Sequence, residues 1–202
     1  MLLFEDTYLE IKHKSRGFYK EKSSKFISYA YPVYSVESVK SILKEIKQKE
    51  NSANHHCYAY CLHPDKSDFR FNDDGEPTYT AGKPIFKQIK AYNLTNILII
   101  VVRYFGGIKL GVPGLIRAYK TAALNAIEGA DIVTKLIQEK YQVFFSIEQI
   151  QDVMLFVKKN NLTIVNSSFQ QKCFITLLVP LAKSDIIKSY FKKKKIKLNY
   201  IY

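Results

Sequence analysis

The chain of 202 residues has no tryptophan and only three cysteines, Cys57, Cys61 and Cys173, none of them in a C-x-x-C pair. An odd, scattered set argues against a disulfide framework and fits a reducing cytoplasm. Long apolar runs are missing as well. The longest, Ile97 to Val102, is about a third of the ~20 residues that span a bilayer, so it reads as a buried strand and no membrane is expected. The start, Met1-Leu2-Leu3-Phe4-Glu5-Asp6, has neither the basic nor the long apolar part of a secretory leader, and export is not expected. Several signatures are absent too. Without G-x-x-x-x-G-K-[ST] or G-x-G-x-x-G, nucleoside-triphosphate chemistry is unsupported, and without G-x-S-x-G or H-E-x-x-H the common hydrolase sites are unsupported.

Acidic residues are few, 18 against 31 basic, which leaves a net charge of +13 and a pI near 9.5. Such a field attracts nucleic acid or acidic surfaces. Lysine enrichment without tryptophan also fits a bias in genomic base usage. The rest of the composition, 47% apolar and 24% charged, is ordinary for a folded globular chain. The charge is uneven: residues 1–134 hold 19 basic and 14 acidic side chains (+5), and residues 135–202 hold 12 and 4 (+8). A domain boundary is expected there, giving domains 1–134 and 135–202.

In the first part, residues 26–33 read as a strand entered through a basic segment, and Ser35 as the N-cap of a helix with Val36, Val39, Ile42, Leu43 and Ile46 on one face. Residues 55–62 alternate as a strand, with His55, Cys57, Ala59 and Cys61 on one side and His56, Tyr58, Tyr60 and Leu62 on the other. A single metal cannot gather that row, since His55 and His63 lie ~26 Å apart along a strand. Residues 69–72 read as a short strand, Pro84 suits the first turn of a helix, residues 97–104 read as a buried strand, and a helix begins near Gly114 with Gly129 as its C′ residue. Residues 141–146, 148–160, 163–168, 172–179, 184–195 and 197–202 read as strand, helix, strand, strand, helix, strand, the βαββαβ ferredoxin-like plan.

Glycine is scarce but clustered: six of the eight lie between Gly75 and Gly114. Density of this kind places backbone, rather than side chain, close to something. Two glycine-rich approaches lead to helix starts, Ala81-Gly82-Lys83-Pro84 and Gly106-Gly107 through Lys109 and Gly111 to Gly114. If they converge, the free N–H groups of two helix N-termini, with Lys83, Arg103, Lys109 and Arg117, would hold an anion. Pro113 removes one N–H from the second approach. Asp73, Asp74 and Glu76 are the one acidic cluster, suited to acid, base or Mg²⁺ work or, more simply, to pairing with Arg103 or Lys83 and holding the turn.

Several segments together resemble the YigZ/Impact family over residues 15–130: His55-His56-Cys57-Tyr58-Ala59, Asp73-Asp74-Gly75-Glu76-Pro77, Thr80-Ala81-Gly82-Lys83-Pro84, Val101-Val102-Arg103-Tyr104-Phe105-Gly106-Gly107, and Leu110-Gly111 with Gly114-Leu115 and Ala118-Tyr119. The chain departs from the family's pattern at Thr78-Tyr79 and Val112-Pro113, where a small residue with glycine is common. The resemblance implies an α+β protein, with an N-terminal domain like domain 2 of ribosomal protein S5 and a C-terminal ferredoxin-like domain similar to the last domain of elongation factor G. It also implies translational regulation, since the family's eukaryotic members bind the activator of the general-control kinase. The expected function is therefore a non-catalytic cytoplasmic regulator of translation, in initiation or stress, that binds RNA, the ribosome or a translation factor. A hydrolase acting on a phosphorylated or peptide substrate at Asp74, Glu76 and Arg103 is the alternative, and a purely protein-binding regulator a third reading. The expected binding cluster comprises His55, His56, Asp74, Gly75, Glu76 and Pro77, then Gly82, Lys83, Arg103 and Tyr104, and then Gly106, Gly107, Lys109, Gly111 and Arg117, with no cofactor, metal or small-molecule substrate indicated.

Overall fold

A computed structural model describes residues 6–170 and 173–201, so the readings at residues 1–5, Lys172 and Tyr202 lie outside the described residues. Two compact units divide between Lys135 and Leu136, with residues 6 and 7 belonging to the second. The first contains β1 (Thr7–Ile11) apart from Thr7, β2 (Ser15–Glu21), β3 (Ser24–Pro32), α1 (Val36–Lys49), β4 (His55–Leu62), β5 (Asp68–Asn72), α2 (Gly82–Ala91), β6 (Ile97–Tyr104), α3 (Gly111–Glu128) and β7 (Ile132–Leu136) apart from Leu136. The second contains β8 (Gln138–Phe145), α4 (Ile150–Lys159), β9 (Thr163–Ser168), β10 (Cys173–Pro180), α5 (Ser184–Lys193) and β11 (Lys197–Ile201).

The first unit is built on an antiparallel sheet in the order β2-β3-β6-β4-β5. The apolar run falls on β6, which has a neighbour on both sides and helices on both faces, as a two-sided apolar strand requires. Its odd residues Ile97, Ile99 and Val101 join Cys57, Ala59 and Cys61 beneath α2 and α3. The even residues Leu98, Ile100 and Val102 join Tyr60 and Leu62 beneath α1. Ala118, Ala122, Ala123 and Ala126 are fully buried, so α3 lies close against the sheet. The Ser35 hydroxyl caps α1, accepting from the Ser38 N–H at 3.2 Å.

Three local expectations need correction. Helix α3 starts at Gly111 rather than near Gly114. Gly129 does not take the left-handed C′ conformation: its φ is −80° and its N–H bonds the Asn125 carbonyl, continuing the helical turn. The basic segment before residue 26 is itself strand β2, and β1 and β7 form a two-stranded sheet that periodicity does not reveal. These strands are short and mostly half-exposed, so their apolar residues make no long alternating run.

The second unit is ferredoxin-like. Its strands pair antiparallel in the order β11-β8-β10-β9. Alternate residues Tyr141, Val143, Ile175, Leu177 and Val179 bury against Val153 and Val157 of α4 and Ile187 and Phe191 of α5. The chain is thus an α+β protein of two domains. Among the described residues no helix is long and apolar enough to cross a membrane.

Candidate functional site

Strand parity sorts the expected cluster into two faces. His55 of β4 pairs directly with Arg103 of β6, so their side chains share the α2/α3 face, while His56 and Tyr104 point to the other. The Arg103 guanidinium is 7% exposed and donates from Nη1 to Glu76 Oε1 at 2.6 Å. Glu76, 4% exposed, accepts a second bond at 2.7 Å from the Tyr119 hydroxyl of α3. Burial pushes the Tyr119 hydroxyl pKa upward, which keeps it protonated and donating. Phe26 and Phe105 flank the guanidinium, their ring centroids 5.6 and 5.4 Å from Cζ.

His55 Nδ1 lies 2.8 Å from the Asp74 carbonyl, which can only accept, so Nδ1 carries the proton and Nε2 faces Glu76 Oε1 at 3.9 Å. These groups open onto a cavity of about 500 Å³, whose other walls include Pro77, Phe105, Lys109, Gly111 and Leu115. Six of the expected residues therefore meet: His55, Glu76, Pro77, Arg103, Lys109 and Gly111.

The others have separate tasks. The two Asp residues of the turn are both engaged. Asp73 Oδ1 accepts from the N–H groups of Ala81 (3.0 Å) and Gly82 (2.8 Å), and Oδ2 from that of Tyr79 (2.9 Å). Asp74 accepts the His56 N–H at 2.7 Å and the Lys47 ammonium at 3.2 Å. His56 Nε2 donates to the Glu50 carbonyl at 3.1 Å, and the Tyr104 hydroxyl to the Glu50 carboxylate at 2.6 Å, both toward α1. Arg117 pairs with Glu21. Lys83 lies over the Tyr79 ring, 4.6 Å from its centroid, and lines a different cavity.

The expected convergence of two anion-holding helix starts is thus corrected, because the start of α2 is filled by the chain's own Asp73. Pairing of the acidic turn with Arg103 is present through Glu76, and pairing with Lys83 is not. Among the glycines, Gly82 and Gly106 are fixed by close approach. A Cβ at Gly82 would stand 2.7 Å from the Asn72 nitrogen, and one at Gly106 would stand 2.1 Å from the Ser23 carbonyl carbon. Gly75, Gly107 and Gly111 adopt positive φ.

Burial disfavours the thiolate of Cys57. Its thiol is buried 3.0 Å from the Asp73 carbonyl and 3.3 Å from the Tyr119 hydroxyl, and burial raises its pKa well above the ordinary thiol range. Sequence reasoning missed the capping role of Asp73 and the polar role of Tyr119. The first had a signal, an aspartate within reach of a helix start that has no capping side chain of its own. The second had a weaker one, a lone tyrosine on an alanine-lined helix face.

The Impact N-terminal domain family matches residues 22–127. The chain is 32% identical to the IMPACT family member YigZ of Escherichia coli (strain K12) over 164 residues, 80% of each chain. It is 32% identical to the Homo sapiens Protein IMPACT over 112 residues, 53% of this chain and 34% of that one. A crystal structure of a hypothetical protein superposes with a TM-score of 0.74 at 27% identity, over 98% of this chain and 99% of that one. A domain match over half the sequence, together with a relative of this identity along four-fifths of both lengths, places the chain in the IMPACT family.

Proposed function

We propose that this protein is a non-catalytic regulator of translation that works in the cytoplasm by binding RNA, free or within the ribosome. The observation that carries this reading is the use already made of the acidic turn. A general base or a Mg²⁺ ligand needs a carboxylate oxygen turned toward its substrate or ion. Here Asp73 holds the start of α2, Asp74 holds the edge of β4, and Glu76, although it lines the cavity, has its Oε1 taken by Arg103 and Tyr119. A binding protein can spend its carboxylates in this way, whereas an enzyme working at this turn would need them free. The net charge of +13 supports an anionic partner. What supports translation is the family, whose eukaryotic members the sequence resemblance implies to be translational regulators, and the overlap with human Protein IMPACT.

Sedimentation with purified ribosomes through a sucrose cushion tests the reading. The protein is expected in the pellet at low salt and to leave it as salt rises, with log K falling by about 0.7 per neutralised phosphate for each tenfold rise in salt on single strands. Absence from the pellet at low salt, with no binding to free RNA, would sink it.

A further inference from the structure

Away from that cavity, four aromatic rings form an unbroken row on the α2 side of the first unit. Phe69 and Phe71 are two residues apart on the edge strand β5 and share a face; Phe86 comes from α2 and Tyr79 from the turn before it. Phe69 stacks on Phe86 with centroids 4.8 Å apart and planes 14° from parallel, Phe86 lies 5.8 Å from Phe71, and Phe71 lies 6.2 Å from Tyr79. The end rings are open to solvent, Phe69 by 52% and Tyr79 by 55%.

Cations gather at the Tyr79 end of the row. Lys83 sits over Tyr79, and Lys87 and Lys120 join it around a cavity of about 260 Å³ with Ile116 in its wall and no carboxylate in its lining. Helix α2, GKPIFKQIKA, has no acidic residue at all. Tyr79 itself has φ 64°, a left-handed backbone that costs an aromatic residue energy, and it is held there by its N–H bond to Asp73. A glycine would take this conformation freely. The chain instead keeps a ring at the end of the row.

Exposed rings with lysines beside them are the two components that hold single-stranded nucleic acid, the rings stacking bases and the ammonium groups neutralising phosphates. A run of carboxylates alone would satisfy the lysines and leave the ring row unused, whereas a base stacks on a ring and carries its own phosphate. We infer that Phe69, Tyr79, Lys83, Lys87 and Lys120 form a binding surface for single-stranded RNA. This rests on the RNA-binding reading above and assigns it to a place.

Fluorescence anisotropy of the full chain with a fluorescein-labelled oligouridylate of about twelve nucleotides tests it. Phe69→Ala and Tyr79→Gly are each expected to weaken binding roughly 5- to 100-fold. Because glycine relieves the strained φ, Tyr79→Gly should keep or raise the melting temperature, which separates lost stacking from lost folding. The triple variant Lys83→Ala, Lys87→Ala, Lys120→Ala should reduce the salt slope by about 2. Wild-type affinity retained in Phe69→Ala and Tyr79→Gly would overturn the assignment while leaving RNA binding intact elsewhere on the chain. Binding of polyglutamate as tight as that of oligouridylate, and indifferent to Phe69→Ala, would overturn it in favour of an acidic protein. No binding by the wild type at low salt would remove both the surface and the RNA reading.

Discussion

Helices α2 and α3 both begin after glycine-rich segments, and neither has a capping side chain at its own N-cap, Ala81 in one and Leu110 in the other. Yet their ends differ. The start of α2 is closed by Asp73, whose carboxylate takes the Ala81, Gly82 and Tyr79 N–H groups, so its partial positive charge is met from within the chain. The first turn of α3, with Pro113 in it, borders the cavity beside Arg103, Lys109 and His55. A glycine-rich approach to a helix is therefore no site until one knows which side chain reaches it. In α2 that side chain lies eight residues upstream of Ala81 and belongs to the acidic turn.

The largest test of this contrast is Arg103→Ala. It strips the partner from a Glu76 that is 4% exposed, and a buried charge left unpaired costs about 3–5 kcal/mol. Urea unfolding should show the first unit largely unfolded or far less stable. A loss under about 1 kcal/mol would mean that Glu76 finds water or another donor, and the turn would then be available for chemistry after all. Next in size is Asp73→Ala, which leaves two N–H groups at the start of α2 and that of Tyr79 in the turn before it without their acceptor. A loss of about 2 kcal/mol is expected. Lys109→Ala at the α3 side should change stability by less than about 0.5 kcal/mol, because that residue is exposed and caps nothing. Equal losses at the two ends would break the contrast between a filled helix start and an open one.

The layers of the fold were readable in the sequence where burial is one-sided or complete. Ile97 to Val102 announces a buried strand, the alternation of His55 to Leu62 is that of a strand in a sheet, and the order of elements after residue 135 gives the ferredoxin-like plan. Strands β1, β2 and β7 were not legible because half-exposed strands have no strong period. The site was legible as a list and not as a place. Parity alone separates His55 from His56 and Arg103 from Tyr104, a step the sequence already permits. The choice between Arg103 and Lys83 as partner of the acidic turn depends on which loops fold over β4 and β6. No spacing rule gives that.

The smallest effect separates the two aspartates of one turn. Asp73 caps a helix, while its neighbour Asp74, at φ 42°, reaches the other way to the His56 N–H and to Lys47. Burial works to raise the Asp74 carboxyl pKa, but the His56 N–H and the Lys47 ammonium outweigh it, and the pKa lies below the ordinary value. A carboxyl with a lowered folded pKa adds stability that is present above its unfolded value of about 3.9 and disappears as pH falls through the folded one. Asp74→Asn keeps a side chain that tolerates the left-handed backbone and removes the charge. It should cost about 1 kcal/mol at neutral pH, part of which fades in high salt because Lys47 is 50% exposed. Melts of wild type and variant from pH 7 down to pH 3 should show a constant gap until about pH 4 and a shrinking gap below it. A gap that does not change with pH would mean that the His56 contact is equally good to a neutral acceptor, and that the charge on Asp74 contributes nothing to holding the turn.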